Sequence, residues 1–338
     1  TRALSEQCGS WWTGEVLHVE QADDVSRKFY EETARLAQPS GAGARLLVLD
    51  RHRTRTGWFV DEPAPRWTAT DAGPPIVVFY SFKGGLGRST CLASFAIQRA
   101  GCGERVCVLD LDLDSPGVGR LLAADTAGLT APWGVVDYLV EQAPFEAPRA
   151  DYVHRCDRVA GSGELIVFPS GRVDDAYADK LARVDMEEPS PAADSGLGRL
   201  LARVRDELKP NWILLDARTG ISESAGRLLS GIAHLHVLLG TTHEQSWQGL
   251  NCVLDRLGKA RVERKLPQRE VLMVQAMVPA GSEAGRPTRE SFLARAEREF
   301  ADRYYAEADD ARAAEFWTIE DMDSRVAPHV PVPVAYET

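Results

Sequence analysis

The stretch Ile76-Val77-Val78-Phe79-Tyr80-Ser81-Phe82-Lys83-Gly84-Gly85-Leu86-Gly87-Arg88-Ser89-Thr90 joins an apolar strand, a Gly-rich loop and the start of an amphipathic helix. A phosphate-binding site requires that order. Glycines let the backbone curl with its N–H groups pointing inward, and the helix N-terminus adds the positive end of a dipole. The ordinary GxxxxGK[ST] pattern is not met: its first Gly falls at Phe82, and Arg88 stands where Lys is expected. What remains is a KGGxG[K/R][ST] form with an additional Lys83 at the start of the loop. A Gly-rich turn without a ligand is the plain alternative, and the loop alone leaves it open.

Two more runs bear on that choice. Val106-Cys107-Val108-Leu109-Asp110-Leu111-Asp112-Leu113-Asp114 reads as a buried strand ending in three alternate acids, which the period of two places on one side. Such a cluster repels itself unless a cation sits nearby. Trp212-Ile213-Leu214-Leu215-Asp216 has the Walker B form, in which a strand-end carboxylate holds Mg²⁺, usually through water. Ser89 is placed to ligate the same ion, and Thr90 to hydrogen-bond a phosphate oxygen.

Outward from these runs, apolar segments of four to six residues alternate with helical periodicity. The strand candidates are Ile76–Tyr80, Val106–Leu109, Leu165–Phe168, Trp212–Leu215, Leu235–Leu239, Val271–Val274 and Val330–Val334. Helices are expected at 88–100, 133–142, 174–184, 196–208, 222–232, 246–257 and 288–314. The expected fold is α/β: a three-layer, mostly parallel sheet with helices on both faces, plus a small N-terminal α/β addition. The break at Asp71-Ala72-Gly73-Pro74-Pro75 divides the chain into an accessory segment, 1–73, and a main domain, 74–338. In the first, a helix is expected near Asp24–Ala37 and strands near Arg45–Leu49 and Gly57–Val60. Segment 185–195 is acidic, carries Pro and reads as a surface loop.

Composition narrows the classes. The 338 residues carry 39 basic and 50 acidic side chains, a net charge of −11, which argues against broad nucleic-acid binding. No apolar run reaches the roughly 18–20 residues that span a bilayer. Thr1–Glu6 has no apolar stretch of the signal-peptide kind and no Met, as in a trimmed chain. Six scattered cysteines without a CxxC pair fit free thiols in a reducing cytoplasm. His234 and His236 read as two strand side chains on one face rather than as a metal site.

With these motifs in place, the loop resembles the deviant Walker A motif of the MinD/ParA group of P-loop ATPases, within the SIMIBI class. Arg88 brings it nearest the bacterial subgroup written KGGVGR. Gly134-Val135-Val136-Asp137-Tyr138-Leu139, Phe168-Pro169-Ser170-Gly171-Arg172, Asp216-Ala217-Arg218-Thr219-Gly220-Ile221-Ser222 and the closing Pro331–Glu337 run resemble further pieces of that subgroup. The resemblance covers about 75–338 and implies an ATP-dependent homodimer enclosing two nucleotides, with ATP and Mg²⁺ as cofactors. It implies that Lys83 reaches across the dimer to the partner's phosphates, while Gly84, Gly85, Leu86, Gly87, Arg88, Ser89 and Thr90 wrap the chain's own. It gives Asp112 the attacking water, and places Asp110 and Asp216 with Ser89 near the metal.

The leading expectation is therefore a slow, Mg²⁺-dependent ATPase that switches dimer or partner state, with an unidentified protein partner or effector module. Arg88 is bulkier than Lys and not a conservative replacement at a tight phosphate. A nucleotide sensor or scaffold with little hydrolysis is the alternative. A kinase-like transferase has little support, because only Tyr304, Tyr305 and Tyr336 lie in the C-terminal part. DNA is the weaker candidate partner, resting on six basic side chains in 255–270, and a basic membrane-targeting helix is lacking. ATP rather than GTP is inferred from the resemblance alone. Candidate base contacts are Met277-Val278-Pro279 and Val332–Tyr336.

Overall fold

A computed structural model describes residues 23, 24, 27, 35–37, 46–48, 55–59, 65, 67, 73–123, 131–141, 151–156, 159, 161–184, 195–281, 283, 285–307 and 316–336. The chain forms two compact units, Thr1–Arg53 and Thr54–Thr338. In the first, β1 (Arg35–Ala37) pairs antiparallel with β2 (Leu46–Val48). Asp24 and Arg27 are helical, but the helix expected to run to Ala37 gives way to β1, whose backbone is taken by β2.

The second unit is built on an eight-stranded sheet in the order β10-β9-β8-β3-β7-β4-β6-β5. Its strands are β3 (Ile76–Ser81), β4 (Arg105–Leu111), β5 (His154–Arg155), β6 (Glu164–Phe168), β7 (Trp212–Ala217), β8 (Leu235–Gly240), β9 (Glu270–Pro279) and β10 (Val332–Tyr336). All pairs are parallel except β5 with β6. The central strands are apolar on both sides, so each must be covered twice. Alternate residues of β3 divide accordingly. Val77 and Phe79 pack with Leu92, Ala93, Ala96 and Ala100 of the helix Arg88–Gly101. Ile76, Val78 and Tyr80 face the opposite core, with Leu200 and Leu201 of Gly196–Arg203, Trp247 and Leu250 of Glu244–Leu257, and Phe292 of Arg286–Arg303. The architecture is the three-layer α/β sheet expected.

β3 sits between β7 and β8, and β4 lies beyond β7. The chain thus skips a strand position after β3, which opens a crevice at the carboxyl ends of the central strands, where α/β sheets bind ligands. The register puts Phe79 and Asp110 each opposite Asp216.

Some elements differ from expectation. The compact unit begins at Thr54, ahead of the Asp71–Pro75 break, because Arg55, Trp58 and Trp67 send their side chains into it. Gly57–Val60, read as a strand, holds a single turn at Thr56–Trp58, pinned by the Trp58 indole on the Ser222 carbonyl. The last long helix stops at Arg303 because Tyr304 and Tyr305 turn into the core. There Tyr304 donates to the Arg269 carbonyl at 2.7 Å, and Tyr305 meets His329 at 2.7 Å. Of the acidic loop, 185–194 lies outside the described residues; Ser195 caps the helix Gly196–Arg203.

Candidate nucleotide site at the carboxyl end of the sheet

Gly85 (φ 78°) and Gly87 (φ 79°) adopt left-handed backbone, which L side chains rarely hold. A Cβ built on Gly84, Gly85 or Gly87 meets no atom within 4 Å among the described residues, so the exposed loop faces open space. Two contacts hold the loop from outside. Ser81 Oγ donates to the Lys83 carbonyl at 2.9 Å. The Phe82 ring lies on Gly249, where a Cβ would stand 1.9 Å from it. Lys83 and Leu86 are half-buried and Thr90 is exposed.

Inside the crevice, Arg88 Nε donates to Asp216 Oδ1 at 2.6 Å and Nη2 to Asp112 Oδ2 at 2.8 Å. Ser89 Oγ donates to Asp216 Oδ2 at 2.6 Å. Arg88, Asp112 and Asp216 are all buried. Burial works against the charge on Arg88, but Asp216 and then Asp112 override it and hold the guanidinium above its ordinary value. Asp110, beside Asp216 in the sheet, turns to the Gly117 and Gly119 amides at 3.1 and 3.3 Å. Burial first, then the Asp216 charge, push its carboxyl up to about 7. Arg88, Ser89, Asp112 and Asp216 are thus joined by hydrogen bonds, and Asp110 stands next to them. The third alternate acid does not join: β4 ends at Leu111, the chain turns, and exposed Asp114 pairs with Arg218.

The donors suit Mg²⁺. Two carboxylates hold one guanidinium, a third, Asp110, stands beside Asp216 in the sheet, and Asp110 Oδ1 and Asp112 Oδ1 are buried without a hydrogen-bond partner among the described residues. Among those residues no three acidic, His or Cys side chains converge into a complete metal cage. Mg²⁺ takes one or two carboxylates and fills its remaining positions with phosphate and water.

Flanking pieces pack against one another. Val135 N and Val136 N donate to the Pro169 and Ser170 carbonyls at 2.8 Å each. Buried Asp137 accepts from Gly134 N at 2.9 Å and from Lys180 Nζ at 2.7 Å. Neither Asp137 nor Lys180 stood out as functional in the sequence, though an acid three residues into a helix start is a capping signal. Met277–Pro279 and the last strand lie side by side, with Ala335 opposite Val278 and Tyr336 opposite Pro279. The basic stretch 255–270 is different from a surface patch. Arg261 and Arg269 are buried and donate to the Pro267 and Ser230 carbonyls, and Arg256 donates to the Gly57 carbonyl. Tyr304 and Tyr305 are fully buried. His234 Nδ1 accepts from Ile76 N, and its Nε2 therefore donates to the Trp67 carbonyl.

A Gly-rich loop between β3 and a helix, with a buried acid at the end of the neighbouring strand, has the layout of a Walker-type loop in a parallel α/β sheet. No family model matches the chain. It is 34% identical over 84 residues to the cytosolic Fe-S cluster assembly factor CFD1 of Coccidioides immitis, a match spanning 25% of this chain and 24% of that protein. Among solved structures it is similar to the cell division ATPase MinD of Pyrococcus furiosus, at 17% identity and a TM-score of 0.45, over 75% of this chain and 99% of that one. It is also similar to the cobyrinic acid a,c-diamide synthase of Mycobacterium smegmatis with a bound ATP analogue and magnesium. There the identity is 18% and the TM-score 0.48, over 74% and 93% of the two chains.

Proposed function

We propose that the crevice binds ATP with Mg²⁺ and that occupancy controls association with a second copy or a protein partner, with slow hydrolysis resetting the state. The supporting observation is the convergence of Arg88, Ser89, Asp112 and Asp216 beside an open Gly84–Thr90 loop at the switch point of the sheet. Ser89, Asp216 and Asp110 would hold Mg²⁺, which when bound neutralises phosphate charge. The loop amides and Arg88 would orient the γ-phosphate, and Asp112 would position the attacking water. Lys83, half-buried at the start of the loop, would serve a partner's nucleotide. The accessory segment is proposed to be Thr1–Arg53, since the chain from Thr54 packs with the sheet, and the base is proposed to lie against Met277–Pro279 and Val332–Tyr336.

One observation favours the sensor reading. Arg88 holds Asp216 Oδ1 and Asp112 Oδ2, so it leaves Asp112 only Oδ1 for a water and draws charge from the carboxylate. Sedimentation with ATP and Mg²⁺, paired with phosphate release, tests both readings. The switch reading expects ATP-dependent association weakened in Lys83→Ala and slow release lost in Asp112→Ala. Equal release by wild type and Asp112→Ala supports the sensor instead. An unchanged sedimentation coefficient with nucleotide removes the association switch.

A further inference from the structure

The segment that leaves β7 after Asp216 is held from outside by a short piece of chain ahead of the sheet. Arg55 Nε donates to the Ile221 carbonyl at 2.8 Å, and Trp58 Nε1 to the Ser222 carbonyl at 2.6 Å. Two successive backbone acceptors are thus taken by side chains more than 160 residues away in sequence. The Trp58 ring also covers Gly226 of the helix Glu223–Arg227, where a Cβ would stand 2.4 Å from it. Gly57 lies on the Arg227 backbone, where a Cβ would come within 2.8 Å of Arg227 N. Arg256 closes the arrangement from the helix Glu244–Leu257, donating to the Gly57 carbonyl at 2.7 Å with its guanidinium 5.9 Å from the Trp58 ring centre. Arg55 pays for its place with a left-handed backbone (φ 58°), which a non-Gly residue keeps only where its surroundings impose it.

The held segment is joined directly to the site. Asp216, which binds Arg88 and Ser89, is followed by Ala217, by Arg218 on Asp114, and by Gly220, whose left-handed backbone (φ 70°) offers its carbonyl to Tyr80 of β3. Among the described residues a cleft of about 400 Å³ lies beside it, lined by Arg55, Asp114, Arg218, Thr219, Ile221 and Ser222. Asp216 and the Ile221 and Ser222 carbonyls that Arg55 and Trp58 hold thus lie on one short stretch of chain.

We propose that Arg55–Trp58 is a clamp on residues 218–227, and that Trp58 is the positioning residue through which occupancy of the loop site alters the segment N-terminal to the sheet. The proposal rests on the nucleotide reading of that site. Hydrogen exchange on the full chain, with and without ADP plus Mg²⁺, tests it. Exchange should slow at 84–90, where nucleotide binds, and change in step at 55–59 and 218–227. Trp58→Phe keeps the ring on Gly226 but removes the donor. It should leave protection at 84–90 intact, abolish the nucleotide response of 55–59, and speed nucleotide dissociation about fivefold, as expected for one hydrogen bond. Gly226→Ala, which displaces the ring without altering the clamp residues, should do the same. Protection at 84–90 with no change at 55–59 in the wild type overturns the clamp alone. No protection at 84–90 contradicts the nucleotide reading and the proposal with it.

Discussion

Arg88 decides the electrostatics of the crevice. Its guanidinium bridges two buried carboxylates, and a planar fork suits that task better than the ammonium of Lys. Removing one partner of a buried ion pair leaves the other uncompensated, at a cost of about 3–5 kcal/mol. Arg88→Ala should therefore lower ligand-free stability by that order in urea unfolding, and Arg88→Lys by less. An unaltered midpoint for Arg88→Ala would mean that Asp112 and Asp216 do not depend on it. Asp110 carries a pH dependence of its own. Its folded carboxyl sits at about 7, above the unfolded value, so its contribution is complete below the unfolded pKa and is lost as pH rises through 7. Asp110→Asn keeps an oxygen for Gly117 N and Gly119 N and cannot ionise. Its stability relative to wild type should improve by about 1–3 kcal/mol between pH 5 and pH 8, read from urea midpoints. A constant difference across that range would contradict the assignment.

At the scale of elements, the loop is placed by what packs outside it. Phe82 fills the gap left by Gly249 in the helix Glu244–Leu257, so Lys83 and the glycines after it are fixed relative to that helix. Ala is intrinsically better than Gly inside a helix, yet a methyl there meets the ring. Gly249→Ala should cost about 1–3 kcal/mol by overpacking, and should weaken nucleotide binding although residue 249 touches no ligand. Thermal melting and a binding titration check both parts; a stabilised variant with unchanged affinity would separate Phe82 from loop placement. The strand–loop–helix unit and the apolar run ending in Asp216 were legible because short-range pattern fixes them. Three apolar strands buried on both faces leave little freedom in where the acids at their ends fall. The fate of Asp114 was not legible, since β4 ends at Leu111, short of the last acid of the alternation, and its partner Arg218 lies on another strand's loop. Gly57–Val60 misled for a similar reason: a Gly-Trp-Phe-Val string has strand composition, but a distant carbonyl holds the indole in a turn.

For the whole molecule, the −11 charge takes on a more local meaning. Asp112 and Asp216 share Arg88 in one crevice with Asp110 beside them, and a divalent cation with phosphates would add to that balance. The basic residues of 255–270 that could have offset this charge at a nucleic-acid surface are partly spent inside the fold, at Arg261 and Arg269. Among the described residues no helix is long and apolar enough to cross a membrane. Sequence pattern alone could not reveal these burials, because the arginines satisfy carbonyls of segments that only the folded sheet brings near. The central claim is that Mg²⁺ and nucleotide bind together at the loop. It is tested most directly by titrating a fluorescent ATP analogue into the full chain with and without Mg²⁺, against Ser89→Ala and Asp216→Asn. The account expects saturable, Mg²⁺-dependent binding that both substitutions weaken at least tenfold, a loss of about 1.4 kcal/mol. Absence of binding, or equal binding by all three proteins, would contradict it.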